Sequence, residues 1–174
     1  MLYSRIRLVL IVLFFALGLI LHIQLGLESA FYLYIAGILL LITHFLFGNI
    51  PAAFSHLKRG KLDQAEALIK QVRRPNWLIK RHRAYYHFVK GMIALQREKL
   101  PESEVDLSKA LEIGLKSETD NALTALNLAH ICYVKNRHEE SREYLKTAKT
   151  HPNNDLLIKQ HIEELEKVLA TPYN

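Results

Sequence analysis

Two uncharged apolar stretches near the amino terminus constrain this chain more than any other feature of its sequence. They cover residues 8–23 and 31–47, and neither contains Asp, Glu, Lys or Arg. As α-helices rising about 1.5 Å per residue they would extend roughly 24–26 Å, slightly less than the ~30 Å hydrocarbon core of a bilayer. Flanking residues such as Ile6 can lengthen the first stretch. Because a buried helix of a soluble domain normally carries a polar stripe, we expect a two-helix transmembrane hairpin over residues 1–48.

Basic residues around these stretches predict their orientation. Arg5 and Arg7 precede the first stretch and three basic residues lie within 58–61, whereas the connecting turn Gln24–Ala30 contains no Lys or Arg. By the positive-inside rule, both termini and the carboxyl-terminal domain then face the cytoplasm, and we expect a bacterial inner membrane. A cleaved signal peptide is the alternative for the first stretch, although no small-residue cleavage site follows it.

Residues 51–174 carry an internal repeat with an offset of 38. The sets that recur at this spacing are Ala53, Gly91 and Ala129; Ala65, Ser103 and Ser141; Ile69, Leu107 and Leu145; and Val72, Ala110 and Ala148. Each unit is predicted to be a helix, a short turn and a second helix, with turns starting at Arg59, Arg97 and Lys135. Small residues let the two helices approach, and the apolar residues form one stripe. A single hairpin cannot bury such a stripe, so three hairpins over residues 49–153 are expected to stack.

The last segment, residues 154–174, is predicted to be a helix that closes the stack, followed by a short tail. Its cap falls within residues 153–155, and the residues of its apolar face are Ile158, Ile162, Leu165 and Leu169. The acidic residues of this segment lie outside that face, and the open end of a repeat stack requires such a polar outer surface. The whole chain is therefore expected to be all-α.

The repeating residues resemble those of the tetratricopeptide repeat family over residues 50–153, and the chain is similar to its small, membrane-anchored bacterial members. The residues on the signature spacing are Ala53, Gly60, Leu62, Ala65, Ile69 and Val72; Gly91, Ala94, Leu100, Ser103, Leu107 and Ala110; and Ala129, Cys132, Ser141, Leu145, Ala148 and Pro152. The family period is about 34 residues, and we assign the extra residues to longer first helices at Trp77–Arg97 and Asp120–Lys135. The resemblance implies a right-handed solenoid that binds peptides on the concave face lined by the first helices.

On this chain the resemblance implies a partner-binding groove. The residues at the matching positions of the first helices are Tyr85, Phe88, Met92, Asn127, His130 and Tyr133. They would form an aromatic, apolar surface with few polar groups, which suits an apolar segment of a protein partner. The alternative is that the aromatic residues fill a tight superhelix or contact the terminal helix.

A basic segment at residues 73–83, RRPNWLIKRHR, is a candidate membrane-surface element. Its candidate contacts with anionic lipid are Arg73, Arg74, Trp77, Lys80, Arg81 and Arg83. Each basic residue near an anionic surface contributes about 1 kcal/mol, and tryptophan suits the headgroup layer. A solvated surface is the alternative. Nucleic acid is disfavoured because the stretch belongs to no recognisable binding module.

The sequence contains no motif that predicts an enzyme. It lacks a glycine-rich phosphate loop and an H-E-x-x-H metal motif, and its single cysteine, Cys132, excludes an intramolecular disulfide. We expect no catalytic residues, no cofactor and no metal. The predicted function is a membrane-anchored scaffold that binds a protein partner at the cytoplasmic face. The alternative is an accessory subunit of a larger integral membrane complex, in which the hairpin docks and the repeats brace it.

Overall fold

A computed structural model describes residues 2–47, 49–152 and 154–170. Within these ranges the chain is all-α, with nine α-helices and no strand, as the sequence predicts. The helices are α1 (Leu2–Leu25), α2 (Leu27–Phe47), α3 (Ile50–Lys58), α4 (Leu62–Lys70), α5 (Lys80–Gln96), α6 (Leu100–Ile113), α7 (Glu118–Val134), α8 (His138–Thr150) and α9 (Leu156–Ala170). Both chain ends and residues 48 and 153, at which predicted domain boundaries fall, lie outside the described residues.

Helices α1 and α2 pack against each other with a single residue between them. Gly26 has a φ of +86°, a left-handed conformation that glycine adopts without strain, and it reverses the chain there. The predicted seven-residue turn Gln24–Ala30 is therefore wrong, because the helices continue through its two ends. The 24 residues of α1 correspond to about 36 Å, enough to cross a hydrocarbon core, and the 21 residues of α2 correspond to about 32 Å.

By length and composition, α1 is the one described helix that meets the requirements for crossing a membrane. Its stretch Leu8–Leu25 has a mean hydropathy of 2.7, and the apolar stretch described in α2, Leu27–Thr43, is shorter. Most large apolar side chains of both helices are exposed in the isolated chain.

The three predicted helix–turn–helix units are present as α3–α4, α5–α6 and α7–α8. Their turns repeat in backbone geometry at the predicted offset, with a positive φ at Gly60 (+70°), Glu98 (+59°) and Asn136 (+59°). The next residue in each turn donates its amide to a carbonyl five residues earlier. These bonds join Lys61 to His56, Lys99 to Ala94 and Arg137 to Cys132 at 2.8–2.9 Å. The turn positions predicted from the sequence are confirmed.

The recurring small residues lie where the two helices of a pair come closest. A Cβ on Gly91 would lie 2.8 Å from the Leu107 side chain, so α5 and α6 are in contact at that point. The Ser103 hydroxyl donates to the Gly91 carbonyl at 3.0 Å, and the Ser141 hydroxyl donates to the Ala129 carbonyl at 2.8 Å. The same buried hydrogen bond thus occurs twice, 38 residues apart.

The first helices differ from the prediction at their amino ends. Helix α5 begins at Lys80 rather than Trp77, because Pro75–Trp77 form a 3-10 turn and the next two residues are extended. Helix α7 begins at Glu118, where the Ser117 hydroxyl accepts the Asp120 amide at 3.2 Å and caps the helix. Both helices have 17 residues, whereas α3 has nine.

Helix α9 closes the stack against α7 and α8. The Asp155 carboxylate accepts the Leu157 and Ile158 amides at 3.0 and 3.4 Å, which confirms a cap within the predicted range. The predicted apolar face is also confirmed, since its four residues, Ile158, Ile162, Leu165 and Leu169, are all buried.

Ion pairs connect neighbouring units along one side of the turns. Arg97 contacts Glu66 at 2.7 Å, and 38 residues later Lys135 contacts Glu104 at 2.5 Å. Burial alone would raise the pKa of the Glu104 carboxyl, but hydrogen bonds from Lys135 and Arg137 outweigh it and lower the pKa. At the equivalent position of the third unit, Arg142 donates to the Leu169 carbonyl at the end of α9.

Candidate functional site

The candidate site lies along the first helices of the three pairs. Phe54 of α3 contacts Tyr85 of α5, with ring centroids 4.9 Å apart, and Asn127 of α7 places Nδ2 3.5 Å from Met92 Sδ of α5. Tyr85 and Met92 are seven residues apart and therefore share a face of α5. We define Phe54, Tyr85, Met92, Asn127 and His130 as the first-helix strip.

Tyr85 is held in place by a contact that the sequence did not reveal. Its hydroxyl donates to the Asp120 carboxylate at 2.8 Å, across 35 residues of chain. Burial of the ring, together with the hydrogen bond to Asp120, raises the pKa of Tyr85 to about 12. Tyr85 is partly accessible, and this hydrogen bond fixes the position of its side chain.

Phe88 is part of the core and does not belong to an accessible surface. It is 2% exposed, and its ring contacts Phe54 and Tyr85 edge-on at centroid distances of 5.9 and 6.3 Å. The expectation that Phe88 is available to a partner is therefore wrong. Position 88 lies between two aromatic neighbours, and packing against them buries the ring.

The other predicted groove residues occupy different environments. Asn127 is partly buried and donates to the Leu123 carbonyl at 2.8 Å, whereas His130, one turn later, is exposed. Tyr133 is partly buried, with its ring 5.7 Å from His138 at the start of α8. It packs against the buried apolar residues shared by α7, α8 and α9, which agrees with the alternative that some aromatic residues fill the superhelix.

Lys58 adds a positive charge at the α3 end of the first-helix strip. Its Nζ lies 4.5 Å from the centroid of the Phe54 ring, within the range of a cation–π contact. Lys58 entered the sequence-based prediction only through membrane orientation, although its spacing of one helical turn from Phe54 was a signal for this contact.

The basic segment 73–83 covers most of the connection between α4 and α5 and the first turn of α5, and it is mostly exposed. Arg73, Arg74, Lys80 and Arg81 are exposed and Arg83 is partly exposed. Trp77 is 53% exposed, and the Arg74 guanidinium carbon lies 4.5 Å from its ring centroid. Leu78 is buried and anchors the segment to the core.

A buried polar cluster in the second unit was not anticipated. Asp106 of α6 is 3% exposed, and its carboxylate lies 2.8 Å from His87 Nδ1 and 2.9 Å from Lys90 Nζ of α5. Burial alone would raise the pKa of Asp106, but hydrogen bonds from His87 and Lys90 outweigh it and lower the pKa. At the offset of 38 the positions equivalent to Asp106 are Leu68 and Tyr144. A comparison of the three units would have shown Asp106 as the exception, and this was the one signal of the cluster in the sequence.

Other reactive groups are few in the part of the chain that the structure describes. Within it, no group of three or more His, Cys, Asp or Glu side chains is arranged to hold a metal ion. Cys132 is fully buried, and burial raises the pKa of its thiol, which keeps it protonated and unreactive at neutral pH.

No protein-family model, curated protein or solved structure matches this chain.

Proposed function

We propose that this protein is a membrane-anchored adaptor of tetratricopeptide-like architecture that binds a protein partner at the cytoplasmic face of a membrane. Helices α1 and α2 would form a transmembrane hairpin, and helices α3–α9 would form a right-handed solenoid with a closing helix. In this proposal the chain has no catalytic activity, and the partner is a polypeptide segment with apolar side chains.

Exposed apolar side chains support the membrane anchor. Nineteen large apolar residues of α1 and α2 are exposed, compared with seven in the remainder of the described chain. Water would oppose such a surface, because burying one large apolar side chain contributes about 1.5–3 kcal/mol. In the hydrocarbon core of a bilayer the same side chains avoid contact with water. The polar groups of the helical backbone are already paired with one another, so they need no water there.

The first-helix strip carries the adaptor part of the proposal. It combines partly accessible aromatic and sulfur-containing side chains with a few polar groups, and it extends over the first helices of three successive pairs. Partner surfaces often take this form, with aromatic or methionine anchors surrounded by polar residues. Tyr85 is pre-positioned by Asp120, and an ordered side chain loses less conformational entropy on binding.

Site-specific photocrosslinking in intact membranes tests this function. A crosslinking amino acid at His130 samples the first-helix strip, one at Ile38 samples the exposed face of α2, and one at Lys109 samples the exposed surface of α6. The adaptor proposal expects a discrete crosslinked partner from position 130 and none from position 109. Crosslinks from position 38 alone would instead favour the alternative, an accessory subunit that docks through its hairpin.

The topology is tested separately with an impermeant thiol reagent. In a Cys132→Ser background, Glu28→Cys at the start of α2 should react from outside the cell, and Asn174→Cys should not. The reverse labelling pattern would contradict the cytoplasmic location of the repeats, whatever partner they bind.

A further inference from the structure

We propose that the segment 73–83 is an anionic-lipid contact that holds the repeats against the bilayer surface from which α2 emerges. The segment's exposed cations and Trp77 would lie among the headgroups. This inference rests on the proposed membrane anchorage and adds an orientation of the domain, which anchorage alone leaves free.

A hydrogen bond connects the end of α2 to the start of this segment. Asn49 lies two residues after Phe47, the last residue of α2, and its Nδ2 donates to Gln71 Oε1 at 2.8 Å. Arg73 follows Gln71 by two residues, and two residues of chain extend at most about 7 Å. The fold thus brings Arg73 close to Phe47 at the end of α2, although the two residues are 26 positions apart in the sequence.

The backbone of the segment orients Trp77 and Ile79 outward. Leu78 is buried in the core and extended (ψ 143°), and in extended backbone successive side chains point to opposite sides. Trp77 and Ile79, which flank Leu78, are 53% and 37% exposed. An aromatic and an aliphatic side chain beside a cationic cluster match the interfacial layer of a bilayer, where tryptophan concentrates.

The cations of the segment form no ion pair within the described chain. No ion pair there joins Arg73, Arg74, Lys80, Arg81 or Arg83 to an acidic side chain, whereas Lys70 and Lys90 each pair with one and Arg97 pairs with two. Lys80 and Arg81 also lie in the first turn of α5, which contains no acidic residue. Cations at a helix amino terminus oppose the helix dipole, so helix stability does not explain their position.

The positive charge of the segment therefore favours binding to an anionic surface. Because the segment lies beside the end of α2, that surface is the membrane. Each cation near an anionic leaflet contributes about 1 kcal/mol, or about fivefold in association. The attraction should weaken with salt, because exposed charges are screened over about 8–10 Å at ordinary ionic strength.

Trp77 is the only tryptophan of the chain and reports on this segment directly. The full-length protein is reconstituted in phosphatidylcholine vesicles with or without about a third phosphatidylglycerol. The probe is phosphatidylcholine brominated near the glycerol end of its acyl chains, which quenches a nearby indole. We expect strong quenching of Trp77 in vesicles that contain phosphatidylglycerol and weak quenching in phosphatidylcholine alone.

The test variant is Arg73→Gln, Lys80→Gln and Arg81→Gln, which keeps Arg74 because its contact with Trp77 affects emission directly. Loss of three charges should reduce the ratio of surface-bound to free segment by about a hundredfold. The matched control is Lys109→Gln, Lys116→Gln and Lys146→Gln, which removes the same charge from exposed positions elsewhere. The control should retain the quenching seen for the unmodified chain.

Flotation separates the two proposals. A chain that floats with both kinds of vesicle but shows equal quenching of Trp77 overturns the lipid contact and leaves the anchor intact. A chain that fails to float with phosphatidylcholine vesicles overturns the anchor and this inference with it. Protection of Trp77 by a single-stranded oligonucleotide, without any response to phosphatidylglycerol, would assign the segment to nucleic acid instead.

Discussion

Helices α1 and α2 approach each other in the same way as α5 and α6, but the two pairs present opposite surfaces to their surroundings. Gly37 of α2 faces the Phe15 ring, as Gly91 of α5 faces Leu107. Outward, α1 and α2 expose apolar side chains, whereas α5 and α6 expose mainly charged ones. A small residue in the contact sets how closely two helices approach, and the outward residues determine which solvent they tolerate.

The largest effect is expected from a charge placed on the exposed apolar surface of α1. Leu17→Lys places a cation near the middle of α1, where 44% of Leu17 is exposed. If that surface meets hydrocarbon, the change costs about 2.5–3.5 kcal/mol and lowers the alkali-resistant membrane fraction. The matched variant Leu157→Lys changes a leucine that is 65% exposed on α9 and should leave the fraction unchanged. Equal behaviour of the two variants would remove the distinction between the regions.

The close approach of the helices is tested by Gly91→Leu. A Cβ at Gly91 would meet the Leu107 backbone nitrogen at 3.0 Å, which cannot move aside as a side chain can. Overpacking of this kind costs about 1–3 kcal/mol and lowers the thermal midpoint of the repeats by at least several degrees. Circular dichroism of the full chain in detergent measures it, and Val105→Leu at an exposed site of α6 is the control. Ala129→Leu should act in the same way in the third unit. An unchanged midpoint would mean that the helix register is wrong.

The buried cluster offers a test that also depends on pH. Asp106→Asn should cost about 1–3 kcal/mol at neutral pH, because His87 and Lys90 lose the buried anionic acceptor of their hydrogen bonds. The folded state lowers the pKa of Asp106, so its stabilisation is present above the unfolded pKa of about 4 and is lost as the pH falls through the folded value. The difference in unfolding free energy between the two proteins should therefore narrow in acid. A difference that stays constant with pH would contradict a charged Asp106.

The third unit supplies the control for that cluster. His87→Ala, Lys90→Leu and Asp106→Tyr together introduce the residues found 38 positions later. Replacing a buried ionic group by a packed apolar set is often neutral or stabilising. The triple variant should therefore recover most of the stability that Asp106→Asn loses. A larger loss than in the single variant would mean that the second unit requires its polar cluster.

The smallest effect is expected at the exposed ion pairs between units. Arg97→Gln removes contacts with Asp63 and Glu66, both at 2.7 Å and open to solvent. Such pairs contribute about 0–1 kcal/mol and less at high salt. Urea unfolding at low and high salt measures this, with Lys135→Gln as the equivalent change in the third unit. A loss above about 2 kcal/mol that persists at high salt would show a stronger coupling between units than screened surface pairs provide.

Local periodicity alone determined the all-α class, the turn positions and the apolar face of α9. Each of these features depends on residues within a few positions of one another, such as Asp155 and Ile158. The offset of 38 also located Gly91 and Ala129 at helix contacts, because close approach requires a small side chain. The same reasoning failed at the start of α5, where burial of Leu78 competes with extension of the helix toward Trp77.

Only the tertiary structure decided which aromatic residues are accessible and which distant residues meet. Periodicity assigns Tyr85 and Phe88 to one face of α5, but Phe54 of the preceding unit covers Phe88 and leaves Tyr85 partly open. The contacts of Tyr85 with Asp120 and of Asn49 with Gln71 cross 35 and 22 residues. The burial of a side chain depends on the neighbours that other helices supply, and contacts between distant residues depend on how those helices stack. The sequence of a single helix therefore determines neither the burial nor the distant contacts.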